Sequence, residues 1–132
     1  MLNYLWVGLG GAFGSVLRFW LSGLIFRHFA DAFPLGTLVI NVSGSFLIGL
    51  LVVLTGPDGR MVVSSSVRDG LLIGILGGYT TFSSFSLQTL NLARAGDWTR
   101  AGLNVVLSVV VCLFAVWFGH FLGRYWMSLR TN

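Results

Sequence analysis

The chain has 132 residues, 55% of them hydrophobic and only 9% charged, with a mean hydropathy of +0.86. That composition excludes a soluble domain and marks a membrane protein. All eight basic residues are Arg and all four acidic residues are Asp, for a net charge of +4; scattered toward the ends of apolar segments, they exclude a nucleic-acid-binding patch.

A membrane-spanning helix needs about 20 apolar residues, so this length holds four spans, short connections and a single domain over residues 1–132. The N-terminus enters an apolar segment at once, with no basic lead, so the first segment is expected to stay as a span rather than leave as a signal peptide. Span 1 is expected over about residues 2–26. It carries Gly10 and Gly14 at the G-x-x-x-G spacing that lets helices approach closely. Arg18 lies about two turns inside it. A charge there either snorkels to the interface or supplies a positive field at the mouth of an anion path.

A loop holding His28, Asp31 and Pro34 leads to span 2, over about residues 36–55. Asn41 is its one strongly polar side chain, with Ser45 a turn later on the same face. Such an asparagine either hydrogen-bonds two helices together or offers its amide donors to an anion. The segment G-P-D-G followed by S-S-S reads as a turn and then a helix cap before span 3, over about residues 68–92. Span 3 opens with Gly70, Gly74 and Gly78 at successive i+4 positions, a smooth face for close packing.

At Gly77 to Phe85 the third span reads G-G-Y-T-T-F-S-S-F. Each glycine costs roughly 1 kcal/mol in a helix interior, and the hydroxyls of Thr80, Thr81, Ser83 and Ser84 compete for backbone hydrogen bonds. One reading is a helix break near Gly77–Thr81, tolerable in a membrane only where it is buried in protein or lines a cavity. A helix resuming near Thr81 or Phe82 would then aim its positive N-terminal end into the bilayer, and carbonyls released around Gly77 to Thr80 would suit a small cation. The other reading is an unbroken, small-residue helix packed closely on a neighbour. Phe82 and Phe85 share one helix face; they are ordinary packing, or ring edges beside an anion path.

Gly96, Asp97 and Trp98 mark the last turn. Span 4 is expected over about residues 100–125, with Asn104, Ser108 and Cys112 forming one polar stripe and Gly119 and Gly123 repeating the close-packing spacing. Cys112 is alone, so no intrachain disulfide is possible. Four spans would put Arg60, Arg68, Arg124 and Arg130 on one side of the membrane and Arg27, Arg94 and Arg100 on the other. That near balance barely selects an orientation, so both are expected and two copies can pair antiparallel.

Gly10, Gly11, Gly14 and Arg18, the run G-T-L-V-I-N from Gly36 to Asn41, and the G-G-Y-T-T-F-S-S-F stretch together resemble the Fluc (CrcB) fluoride ion channels of microbes. The resemblance covers the whole chain. It implies an all-α, four-span protomer of the cell membrane, paired as an antiparallel, dual-topology homodimer with two fluoride pores that relieve fluoride toxicity passively. It also implies a structural sodium ion at the dimer interface, held by the backbone carbonyls of Gly77 and Thr80. Carried over by motif, the fluoride pathway would involve Asn41, Phe82, Phe85, Ser83, Ser84, Arg18 and the span 4 positions Ser108 and Cys112. Many members have a hydroxyl where this chain has Cys112. Gly77 is expected to resist substitution, because a Cβ would meet the symmetry-related chain or forbid the backbone angles of the break.

Two other classes compete. A small dual-topology exporter of cationic compounds needs a carboxylate inside the membrane, yet Asp31, Asp58, Asp69 and Asp97 fall at span ends or in loops. A purely structural membrane subunit explains the glycine faces but not Arg18, Asn41 or the hydroxyl-rich stretch. An enzyme is not expected, since no nucleophile, base and orienting group can be assembled.

Overall fold

The computed structural model describes residues 1–28 and 33–129; Asp31 and Arg130 lie outside the described residues. The chain is helical throughout its described length apart from short connections. Helix α1 spans Leu2–His28, α2 Leu35–Leu54, and α3 Ser65–Asp69, which continues as a π-helical stretch Gly70–Leu76 and then α4, Gly77–Tyr79. After a break, α5 spans Phe82–Arg94 and α6 spans Trp98–Ser128. Four helical segments are long and apolar enough to cross a membrane: Leu2–His28, Leu35–Leu54, Ser65–Arg94 and Trp98–Ser128.

The boundaries follow from local chemistry. Ser64 accepts a hydrogen bond from the Val67 amide at 3.4 Å and caps α3, so span 3 starts three residues earlier than its apolar content predicts. Between α5 and α6 the Gly96 amide donates to the Ala93 carbonyl and the Asp97 amide to the Leu92 carbonyl, both at 3.0 Å. That double closure needs a left-handed residue, and Gly96 supplies it with φ +82°. The Asp97 carboxylate then accepts from the Arg100 amide at 3.0 Å and starts α6, two residues ahead of the expected span 4.

Glycine, more than bulky side chains, decides how the helices meet. A Cβ on Gly74 would lie 2.8 Å from the Val7 carbonyl oxygen, and one on Gly78 would lie 2.6 Å from that of Gly11. On the α1 side, a Cβ on Gly10 or Gly14 would strike the carbonyls of Gly70 and Ile75. The first half of span 3 therefore rests backbone to backbone on α1, as the paired glycine spacings predict. The pair α2 and α6 uses the same device: a Cβ on Gly49 would strike the Val116 carbonyl, and one on Gly119 the Phe46 carbonyl.

Replacing Gly119 by Ala should therefore overpack a contact between two backbones, which have no rotamer with which to yield. The expected result is a thermal midpoint in detergent lower by about 5 °C or more. An unchanged midpoint would show that α2 and α6 separate freely at this level.

The structure adds a feature that the sequence reading lacks. Gly70–Leu76 is π-helical over seven residues, a rare form found mostly as short bulges at functional sites. It ends three residues before the break, with the short helix α4 between them.

Candidate functional site: the break in the third span

The third span is broken, and the break is shorter than expected. Gly77 has φ −65° and ψ −39°, and the helix continues through Gly78 to Tyr79. Only Thr80 (φ −80°, ψ 159°) and Thr81 (φ −152°, ψ 109°) are extended. Gly77 and Gly78 thus stay helical; Gly78 is needed for contact with Gly11 rather than for an unusual backbone angle. The expectation that a Cβ at Gly77 would forbid the backbone angles is corrected, because those angles suit any residue. Among the described residues, nothing beyond its own stretch of helix lies within 4 Å of such a Cβ.

Every break releases backbone groups that must find partners away from water. The Thr81 amide donates to Asn41 Oδ1 at 2.8 Å, and the Thr81 carbonyl accepts from Asn41 Nδ2 at 3.0 Å. One carboxamide from α2 therefore imitates a backbone partner. The Gly78 carbonyl accepts from Arg18 Nε at 3.1 Å. Thr80 turns both its amide (3.0 Å) and its hydroxyl (2.9 Å) back to the Leu76 carbonyl.

The helix then resumes at Phe82 with Thr81 as its cap: Thr81 Oγ1 accepts from the Ser84 amide at 3.2 Å. Four carbonyls, those of residues 77 to 80, lose the donors they would have in a regular helix. The Thr81 amide would reach Gly77 in a regular helix, and the Ser84 amide would reach Thr80. Both amides are diverted, the first to Asn41 and the second to Thr81 Oγ1. With the Phe82 and Ser83 amides also unpaired at the start of α5, the oxygens of Gly77, Tyr79 and Thr80 are left without helical donors, and that of Gly78 is met by Arg18.

A cavity of about 440 Å³ lies against the break. Its polar lining residues are Asn41, Ser45, Thr80, Thr81, Ser108 and Cys112; Gly77, Phe82, Phe85 and aliphatic side chains of α2, the π-helical stretch and α6 complete it. Among the described residues, no charged side chain lines it. The two phenyl rings have centroids 5.2 Å apart and planes inclined by 50°. Phe85 is buried at 8% exposure, whereas Phe82, in mid-span, is 77% exposed in the protomer. Ser108 is also 8% exposed and makes no hydrogen bond among the described residues, so its hydroxyl serves the cavity.

Seven expected site residues thus gather around one space: Asn41, Phe82, Phe85, Ser108, Cys112, Gly77 and Thr80. Three do not line it. Arg18 is occupied with the Gly78 carbonyl on the α1 side. Ser84 and Ser83 belong to the cap of α5, their hydroxyls 3.0 and 3.3 Å from Thr81 Oγ1. The polar stripe of span 4 also divides: Asn104, only 2% exposed, donates to Thr89 Oγ1 at 2.8 Å and ties α6 to α5. Sequence reasoning overlooked Tyr79 and Ser43, whose hydroxyls are 2.9 Å apart; the available signal was a tyrosine beside a break, since a buried phenol needs a polar partner.

A family model described as CrcB-like protein, Camphor Resistance (CrcB), matches residues 5–120. The chain belongs to the CrcB family. Its relatives include a protein of Opitutus terrae, 62% identical over 120 residues that cover 91% of each chain. One of Rhodospirillum rubrum is 58% identical over 119 residues, covering 90% of this chain and 92% of the relative. One of Methylocella silvestris is 56% identical over 119 residues, covering 90% and 91%. Each of these three bears the name fluoride-specific ion channel FluC. Residues 5–120 include every side chain described above around the break, from Arg18 to Cys112.

Proposed function

We propose that this chain is a fluoride-selective channel of the cell membrane that lets the ion leave passively down its gradient and so relieves fluoride toxicity. The observation that carries the reading is the capped N-terminus of α5, which opens beside an uncharged, largely apolar cavity that also holds Asn41, Ser108 and two phenyl rings, in a chain 56–62% identical to named fluoride channels.

Fluoride is small and strongly hydrated, so a pore must replace its water with closely spaced donors and still let it go. Asn41 spends one amide hydrogen on Thr81 and keeps the second for an anion. The hydroxyl of Ser108, without a hydrogen bond among the described residues, also lines the cavity. The first amides of α5, at Phe82 and Ser83, have no intrahelical acceptor and carry the positive end of the helix dipole. Phe82 and Phe85 add positive ring edges without a charge that would hold the ion. Arg18 contributes its charge from behind the break rather than as a wall.

The working unit we propose is an antiparallel homodimer with two pores. It is supported by the near balance of arginines and by Phe82, which leaves one side of the cavity open in mid-span. A structural sodium ion fits the same arrangement, since the carbonyls of Gly77 and Thr80 are among the four that lose their helical donors at the break. When bound, sodium supplies a positive centre that would draw these oxygens together across the dimer. Labelling of a cysteine tag at the C-terminus in intact cells should find both orientations; a single orientation would exclude the antiparallel pair.

The function is tested by anion efflux from liposomes holding the purified protein. Fluoride efflux should exceed chloride efflux by orders of magnitude, and equal rates would overturn the assignment. In the same assay Phe82→Ile and Phe85→Ile keep apolar bulk but remove the ring edge. Each should lower fluoride efflux by about tenfold or more, a loss of about 1.4 kcal/mol, with the dimer still assembled. Unchanged efflux in both would make the rings packing residues.

A further inference from the structure

The two chain segments that meet at the break run in opposite directions and share a register. Asn41 of α2 pairs with Thr81, and Ser43, two residues on, pairs with Tyr79, two residues back. Gly44 gives the seat: a Cβ there would lie 3.2 Å from Tyr79 Cδ1 and would strike Thr80 Cγ2. One turn of α2 therefore holds the last helical residue before the break and the second extended residue within it.

The direction of the Tyr79 hydrogen bond follows from counting protons. Ser43 Oγ donates to the Ile40 carbonyl at 3.1 Å, and a serine hydroxyl has one hydrogen. The phenol of Tyr79 is therefore the donor to Ser43 Oγ at 2.9 Å. Its ring is rigid and only 5% exposed, so the bond fixes the distance between α2 and the backbone of residue 79. Thr80 and Thr81 follow directly, and their carbonyl and amide positions are set from there.

We infer that Tyr79 and Ser43 are a positioning pair that sets the register of the break on α2, and so places Asn41 and the Thr80 carbonyl for the ions. Neither residue lines the cavity, and neither touches an ion. Their action passes through Thr81 and Asn41. Without the phenol bond, the extended residues can shift along α2 while the helices stay packed on their glycines.

The flux arm of the test rests on the channel reading, and a second arm does not. In the purified full chain, hydrogen exchange of the Thr81 amide is measured against amides of α6 as an internal reference. Tyr79→Phe should raise exchange at Thr81 by about fivefold, the factor that a net neutral hydrogen bond carries, with α6 unchanged. Ser43→Ala should do the same, and the double variant no more than either alone, because the two groups act as one contact. Ser43→Thr, which keeps the hydroxyl, should behave as wild type. Fluoride efflux should fall in parallel in the variants that lose the bond. Unchanged Thr81 exchange in Tyr79→Phe, additive effects in the double variant, or a rise spread equally over α6 would each overturn the pairing. A wild-type chain that conducts no fluoride would instead defeat the channel reading, and the exchange arm would still decide the pair.

Discussion

Asn41→Ala should reduce fluoride efflux by a hundredfold or more, on the order of the penalty for leaving two backbone groups unpaired. The Thr81 amide and carbonyl both depend on this one side chain, and each buried group left without a partner costs about 1–3 kcal/mol. Their sum, about 2–6 kcal/mol, spans the roughly 2.7 kcal/mol that a hundredfold change represents. The remaining Asn41 amide hydrogen would also leave the cavity wall. Two further variants divide the causes. Asn41→Asp keeps an acceptor for the Thr81 amide, but sets a carboxylate oxygen against the Thr81 carbonyl and puts a negative charge in the anion's path, so it should be as inactive as Ala. Asn41→Gln keeps both groups on a side chain one methylene longer, so it should recover part of the flux. Efflux by Asn41→Ala at the wild-type rate would show that the break is held without α2.

The four spans were legible because a bilayer demands long apolar helices and offers no alternative for chain between them. The break was legible because Thr80 and Thr81 stand among glycines and serines where a helix is weakest. Its extent was not, since glycine is equally the residue for close helix contact, and Gly78 proved to serve that use. Arg18 shows the same ambiguity. An intramembrane arginine is read as a field for an anion or as a snorkelling side chain, and only the fold reveals a third use, as donor to a released carbonyl. The π-helical stretch Gly70–Leu76 leaves no mark in composition or period. Asn104 and Ser108 lie one turn apart on α6, yet one is spent on Thr89 of α5 and the other lines the cavity, a division that spacing alone does not foretell.

Sodium gives the last prediction, and Gly77 is the residue that makes it sharp. Within the protomer Gly77→Ala should be tolerated: the backbone is helical, the space around its Cβ is open, and alanine is about 1 kcal/mol better than glycine in a helix. If two chains bring their Gly77 and Thr80 carbonyls to one ion, the same methyl group falls at the crowded meeting point of the dimer. Gly77→Ala should then give a folded protein with fluoride efflux and dimer content reduced about tenfold or more, a deficit of about 1.4 kcal/mol or more. Thr80→Ser keeps the carbonyl and the hydroxyl bonded to Leu76 and loses only the methyl group over Gly44, so it should conduct within about twofold of wild type. The ion is tested directly by depleting sodium thoroughly and measuring dimer stability and efflux after restoring sodium, lithium or potassium. Sodium alone should restore both, since a site of fixed backbone carbonyls selects by size and by the number of its oxygens. An equal response to all three ions after verified removal of sodium, together with a fully active Gly77→Ala, would show that the released carbonyls hold no cation and that the break exists for the anion path alone.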